Sequence, residues 1–191
     1  MKVELVGESD KYIRIAIKDA ELWEVNALRR SIMNSVKTFA IDKVTFYENS
    51  SPMFDEFIAH RIGLVPIKTP EKGYDEEAEI MFSLDASGPK TVYSDELKSA
   101  DKEIQVANSA IPIIKLNEEQ RLRVEGKAVL GDGRKHAKFQ PGFVNFNEKG
   151  NSGFEFYVET FGQMPPRMIL AKGIEAITGE LKALGKEVKK L

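Results

Sequence analysis

The sequence predicts an α+β protein in which the two ends of the chain build one discontinuous domain and a mainly β segment is inserted as a second. Three observations predict this. Each end of the chain places a strand of alternating apolar residues beside an amphipathic helix. Between Pro66 and Gly153 most of the Pro and Gly residues separate short β-like runs. The final helix carries an apolar repeat long enough to pack along a second helix. The boundaries expected from these changes of texture are 1–47 with 154–191 for the first domain and 48–153 for the inserted one.

The elements follow in order. Val3 and Leu5 alternate with polar residues, Gly7 to Asp10 interrupts, and Ile13, Ile15 and Ile17 alternate again, which predicts a β-hairpin. Asp19 is the expected N-cap of a helix running to about Lys37, with Leu22, Val25, Leu28, Ile32 and Val36 on one stripe. A short strand is expected around Val44 and Phe46. The Asn49–Pro52 loop leads into a short helix containing Phe54, Phe57, Ile58, Arg61 and Ile62, stopped by Gly63. Ile80–Leu84, Ile111–Leu116 and Leu122–Val129 read as strands of the inserted segment, and Phe154, Phe156 and Val158 as a last strand. Pro165-Pro166 suits a helix start, where a missing N–H costs nothing. Leu170, Ile174, Ile177, Leu181, Leu184 and Val188 then recur at alternating spacings of 4 and 3, a 3.5-residue repeat. Glycines at 173, 179 and 185 interrupt this helix and make sense where another helix approaches closely.

Composition narrows the function classes. The 191 residues are 42% hydrophobic and 30% charged with a formal charge of −2, an ordinary globular mixture without a field to draw in nucleic acid. No cysteine is present, which excludes disulfides, thiolate zinc sites, iron–sulfur clusters and a cysteine nucleophile. The N-terminus lacks the apolar run of a signal peptide, and no stretch approaches ~18 uninterrupted apolar residues, so a cytoplasmic protein without a membrane segment is expected. No phosphate-binding glycine motif occurs.

Asp55, Glu56 and His60 come nearest to a catalytic or metal cluster. On a helix Glu56 and His60 share a face, but two ligands do not close a metal site, and the His-Glu-x-x-His arrangement is absent. No metal site and no catalytic residue are expected. The competing reading is a small hydrolase or isomerase using His60 with Asp55 or Glu56.

The segment Asn26-Ala-Leu-Arg-Arg30, followed by Ala40-Ile-Asp42, Asn49-Ser-Ser51, Asp55-Glu56 and Ala59-His-Arg-Ile-Gly-Leu-Val-Pro66, resembles the D subunits of archaeal RNA polymerase, relatives of the bacterial alpha subunit. His136-Ala-Lys138 with Pro141, and Phe156-Tyr-Val-Glu-Thr-Phe-Gly162, extend the match in order. The resemblance implies a dimerisation domain made by the chain ends, with a mostly β domain inserted. It further implies a heterodimer with the small subunit L, docked by subunits N and P, on which the large subunits assemble, with DNA met through the complex rather than through this chain. Carried onto this sequence, the seam of that dimer is Leu28, Ile32, Val36, Leu170, Ile174, Ile177, Leu181 and Leu184. Arg29 and Arg30, with Asn26 as a backbone-bonding support, are the contact to a large subunit. Independently of the resemblance, His60 and Arg61 are expected to hydrogen-bond to Asp55, Glu56 or nearby loop carbonyls and so to fix the junction of the two domains. Many relatives carry a cysteine-rich insertion, often with an iron–sulfur cluster, before the last strand. Here Gly142–Gly153 stands in its place as a short, turn-rich loop without cysteine, so no cofactor is expected.

Overall fold

The computed structural model describes residues 1–150 and 153–190. In chain order its elements are β1 (Lys2–Glu8), β2 (Tyr12–Lys18), α1 (Leu22–Ser35), β3 (Thr38–Asn49), α2 (Asp55–Gly63), β4 (Glu79–Ser87), β5 (Lys90–Tyr93) and β6 (Lys98–Ser99). They continue with β7 (Pro112–Leu116), β8 (Arg121–Gly131), β9 (Gly142–Lys149), β10 (Gly153–Thr160) and α3 (Pro166–Val188). The chain divides into two compact units, Met1–Lys37 with Asp132–Leu191, and Thr38–Gly131.

In the first unit the sheet order is β1-β2-β10-β9, all antiparallel. On the two central strands Ile13, Ile15 and Ile17 stand opposite Val158, Phe156 and Phe154. Directly opposed residues project to the same face, so these six form one apolar layer, and all are buried. Val25 and Ile32 of α1 and Ile169 of α3 complete that core. The helix α1 begins later than the pattern predicted. Asp19 adopts a left-handed conformation (φ 54°) instead of capping. Glu21 is the N-cap, its backbone N–H donating to the Glu24 carboxylate at 2.8 Å, which satisfies a donor that the first helical turn leaves free.

Gly142–Gly153, expected as a loop, is largely a strand. β9 pairs with β10 so that Val144 and Phe146 oppose Val158 and Phe156. Its intervening Asn145 and Asn147 face away from the core, and that polar alternation resembled loop composition. Asn151 and Ser152 lie outside the described residues.

Gly173 sets how closely α1 and α3 approach. A Cβ at this position would sit 2.3 Å from Ile32 Cγ1, and Ser31 Oγ donates to the Gly173 carbonyl at 2.8 Å. The expectation of a close helix approach therefore holds at Gly173, where the neighbour is α1 of the same chain. Nothing lies within 4 Å of a Cβ at Gly179 or Gly185. Gly173→Ala gains about 1 kcal/mol of helix propensity but overpacks a filled site at a cost of about 1–3 kcal/mol. It lowers the melting temperature, whereas Gly179→Ala, with open space around it, does not. Thermal denaturation followed by circular dichroism checks the opposite signs.

The second unit holds the sheet β3-β8-β4-β6, the two-stranded pair β5-β7 and helix α2. Phe39, Ile41, Ile58, Ile62, Phe82, Leu84 and Val124 lie in its core. β3 is twelve residues long, not a short strand around Val44, and it pairs with β8 along most of its length. The division between units therefore falls at 37/38 and 131/132 instead of 47/48 and 153/154, because β3 belongs to the sheet of the second unit and β9 to that of the first. The short β5 and β6, of four and two residues, carry too little alternation to be read from sequence.

Candidate functional site

The site is assembled from α1, α3 and the edge strand β1 of the first unit. The early part of α3 faces inward, with Pro166, Ile169 and Gly173 buried. Arg167 clamps this first turn to β1, donating from Nε and Nη2 to the two carboxylate oxygens of Glu8 at 2.9 and 2.5 Å. That hydrogen bond and the guanidinium charge hold the Glu8 carboxyl below the usual carboxylate range. Beyond Gly173 the helix loses its cover. Ile174, Leu181, Leu184 and Val188 are 48%, 62%, 60% and 58% exposed, although the 3.5-residue repeat places them on one stripe.

The eight residues expected as a seam therefore separate into four groups. Ile32 and Val36 are buried in the unit's own core, Ile32 against Gly173 of α3, and do not reach the surface. Leu28 and Leu170 are half-buried against that core. Ile174, Leu181 and Leu184 are open, and Ile177 lines a cleft between α1 and α3. α1 thus serves its own core more than a partner, and the uncovered face belongs to the distal half of α3.

Sequence reading missed part of this face. On β1, Val3 opposes Ile17 and Leu5 opposes Ile15. They therefore project toward the helix side of the sheet, yet remain 58% and 56% exposed. Trp23, the only tryptophan, is 70% exposed on the first turn of α1. The alternation of Val3 and Leu5 was legible, but the lack of helix cover over the β1 edge was not.

Arg30 is exposed, and its side chain has no bonding partner among the described residues. It borders the α1–α3 cleft of about 370 Å³, with Asn34, Ser35, Arg134, Ile177 and Glu180. Across the cleft, Arg134 pairs with Glu180 and also donates to Ser35 Oγ at 2.6 Å, fixing α3 to α1. Arg29 turns aside: its Nε and Nη2 donate to Asn26 Oδ1 at 3.2 and 3.0 Å. Asn26 therefore orients Arg29 through its side chain, where a backbone-bonding role had been expected.

The residues expected at a domain junction lie on α2, and their hydrogen bonds stay inside the second unit. Asp55 accepts from Asn49 Nδ2 at 2.7 Å, and Arg61 Nη2 donates to the Pro112 carbonyl at 2.6 Å. Glu56 and His60 are exposed, without a side-chain partner among the described residues. Among those residues no three His, Asp or Glu side chains are grouped to hold a metal ion, and no helix is long and apolar enough to cross a membrane.

Comparison with known proteins adds the family. The model described as RNA polymerase Rpb3/RpoA insert domain matches residues 40–145, which cover most of the second unit and run into β9. The DNA-directed RNA polymerase subunit Rpo3 of Methanocaldococcus jannaschii is 44% identical over 158 residues, covering 83% of this chain and 81% of that relative. Its counterpart in Pyrococcus furiosus is 43% identical over 152 residues, covering 76% of this chain and 58% of the relative. That of Halobacterium salinarum is 46% identical over 140 residues, covering 73% and 56%. This chain thus spans little more than half the length of some of these relatives. With identity at this level and coverage of four fifths of one relative, the chain belongs to the archaeal Rpo3 family of DNA-directed RNA polymerase subunits.

Proposed function

We propose that this chain is a non-catalytic assembly subunit of a cytoplasmic, archaeal-type RNA polymerase. It pairs with the small L subunit, and the pair forms the platform on which the large subunits gather, with subunits N and P docking beside it. Nucleotidyl transfer is performed by the large subunits, and DNA meets the complex elsewhere than on this chain. No cofactor is required, since a chain without cysteine offers no thiolate to a cluster or a zinc ion.

The observation that carries this reading is the uncovered apolar stripe Ile174–Leu181–Leu184–Val188 on the outer half of α3. A stripe of this size, extended by Val3 and Leu5 at the sheet edge, costs free energy in water and marks a surface meant for a protein partner. Its 3.5-residue spacing fits a second helix lying alongside. Co-expression with the L subunit of the same organism, followed by size-exclusion chromatography with light scattering, tests it. A stoichiometric one-to-one complex is expected. A monomer indifferent to L would overturn the proposal.

Arg30 is the contact to a large subunit in this scheme, because its free, planar guanidinium suits a bidentate carboxylate across an interface. Arg30→Ala leaves the pair with L intact and weakens recruitment of the large subunit. A pull-down of reconstituted core subunits on the tagged pair reads the difference, and unchanged recruitment would remove Arg30 from the interface.

A further inference from the structure

Only the first half of α3 is packed by the fold. Pro166, Ile169 and Gly173 are buried, whereas every residue from 178 to 190 is exposed. A stretch of helix shorter than ~12–15 residues is marginal in water when nothing packs against it. Gly179 and Gly185 lie inside this stretch, with open space where a Cβ would stand, and glycine weakens a helix interior relative to Ala. Left to itself, the part of α3 that carries Leu181 and Leu184 would fray.

One cluster of side chains opposes that fraying. Arg134 pairs with Glu180, the residue after Gly179, and its Nη2 also donates to Ser35 Oγ at 2.6 Å. The Ser35 hydroxyl in turn donates to Glu180 Oε1 at 3.3 Å. These bonds close a triangle between the last residue of α1, the loop after β8 and the outer half of α3. Beyond Gly173, Glu180 is the one residue of α3 among those described whose side chain bonds outside its own helix. The base of the triangle is firm. Asp132 Oδ1 accepts from the backbone N–H groups of Arg134 and Lys135 at 3.1 and 3.3 Å. The same loop lies so close to α1 that a Cβ at Gly133 would collide with the Met33 carbonyl oxygen. Arg134 is therefore carried by a turn that is itself fixed to α1. At about 100° per residue, Glu180 falls beside the stripe of Ile174, Leu181 and Leu184, and Gly179 on the opposite side of the helix.

We propose that Arg134 is a positioning residue for the seam: through Glu180 and Ser35 it holds the outer half of α3 helical and aligned beside α1. Leu181 and Leu184 then meet a partner helix already in place. This rests on the assembly role proposed above and adds the device that prepares its surface. A helix ordered in advance has less conformational freedom to lose on pairing, and apparent affinity follows the fraction of molecules competent to bind. An isolated exposed ion pair stabilises a fold little. This one acts where the helix has no other polar tether, so its effect is read in pairing and not in melting of the core.

The test uses the full chain, alone and with the L subunit of the same organism. Hydrogen exchange of the α3 amides in the unpaired chain reads the helix, and binding to immobilised L reads the rates of pairing. Arg134→Met is expected to speed exchange over residues 178–188 about 5-fold, what the upper end of an exposed ion pair is worth. Association with L slows by a similar factor. Dissociation stays as in the wild type, because Arg134 acts on the free helix and not on the partner. Glu180→Met has the same effect, and the two changes together are no worse than either alone. Gly179→Ala adds helix propensity on the side away from the stripe, and it restores both readings to the Arg134→Met chain. Unchanged exchange in Arg134→Met, additive losses, or a loss carried by dissociation that Gly179→Ala leaves in place would each overturn the proposal. A wild-type chain that pairs with L beside variants that pair equally well refutes only the positioning role. If the wild-type chain does not pair with L, the assembly role falls, and this inference with it.

Discussion

Leu181→Asp is expected to abolish the proposed one-to-one complex with the L subunit while leaving this chain folded. Leu181 is 62% exposed on the distal half of α3, so no core interaction of the unit depends on it. In the proposed heterodimer it lies at the centre of the stripe, between Ile177 and Leu184. Exchange for Asp removes about 1.5–3 kcal/mol of burial and places an unpaired carboxylate in a helix–helix seam at a further cost of several kcal/mol. With each ~1.4 kcal/mol worth tenfold in affinity, a loss on the order of 10³-fold or more is expected. Size-exclusion chromatography with light scattering on the co-expressed pair reads it directly, and an unchanged circular dichroism spectrum shows that the fold survives. Ile177→Asp should act in the same direction, but Ile177 lines the cleft against α1, so its effect mixes affinity with local packing. A Leu181→Asp pair that elutes as wild type would mean that the stripe is not the seam.

Phe156→Ala has the largest expected effect on stability. Phe156 is fully buried at the middle of β10, opposite Ile15 on one side and Phe146 on the other, with the Phe146 ring stacked nearly parallel at 6.4 Å. Truncation leaves a cavity beneath both helices that the sheet cannot close, at about 3–5 kcal/mol. Against a total of about 5–15 kcal/mol for a typical domain, that removes a large share of the margin of the first unit. Its melting transition should fall by at least about 10 °C. The two units need not unfold together, so hydrogen exchange on the β2 and β10 amides is the sharper reading. Retained protection on those strands would show that the core repacks around the gap.

The central strands and the helices were legible because each carries its own period. Ile13, Ile15 and Ile17 alternate, and Leu170 to Val188 repeat every 3.5 residues, whatever the rest of the chain does. β9 was not legible, because Asn145 and Asn147 resemble a loop until β10 lies beside them. The start of α1 was misplaced for a related reason. Asp19 and Glu21 can both cap a helix, and the left-handed backbone at Asp19, together with the bond from Glu21 to Glu24, selects the second. The candidate site was half legible. The apolar residues of α1 and α3 were legible as a pattern, but periodicity shows only which residues share a face, and Ile32 and Ile174 are apolar members of the same kind of stripe.

The sequence by itself determined the α+β class, the family and the set of apolar stripes, because periodicity and motif spacing are local properties of the chain. The tertiary structure alone decided which stripes are spent on the protein's own core. Ile32 is enclosed where α1 meets α3 across Gly173 and Val36 is buried in the same core, while Leu181 and Leu184 stay exposed on the distal half of α3. The physical reason is that burial depends on what lies opposite a side chain, and the opposing surface is set by sheet order and helix approach.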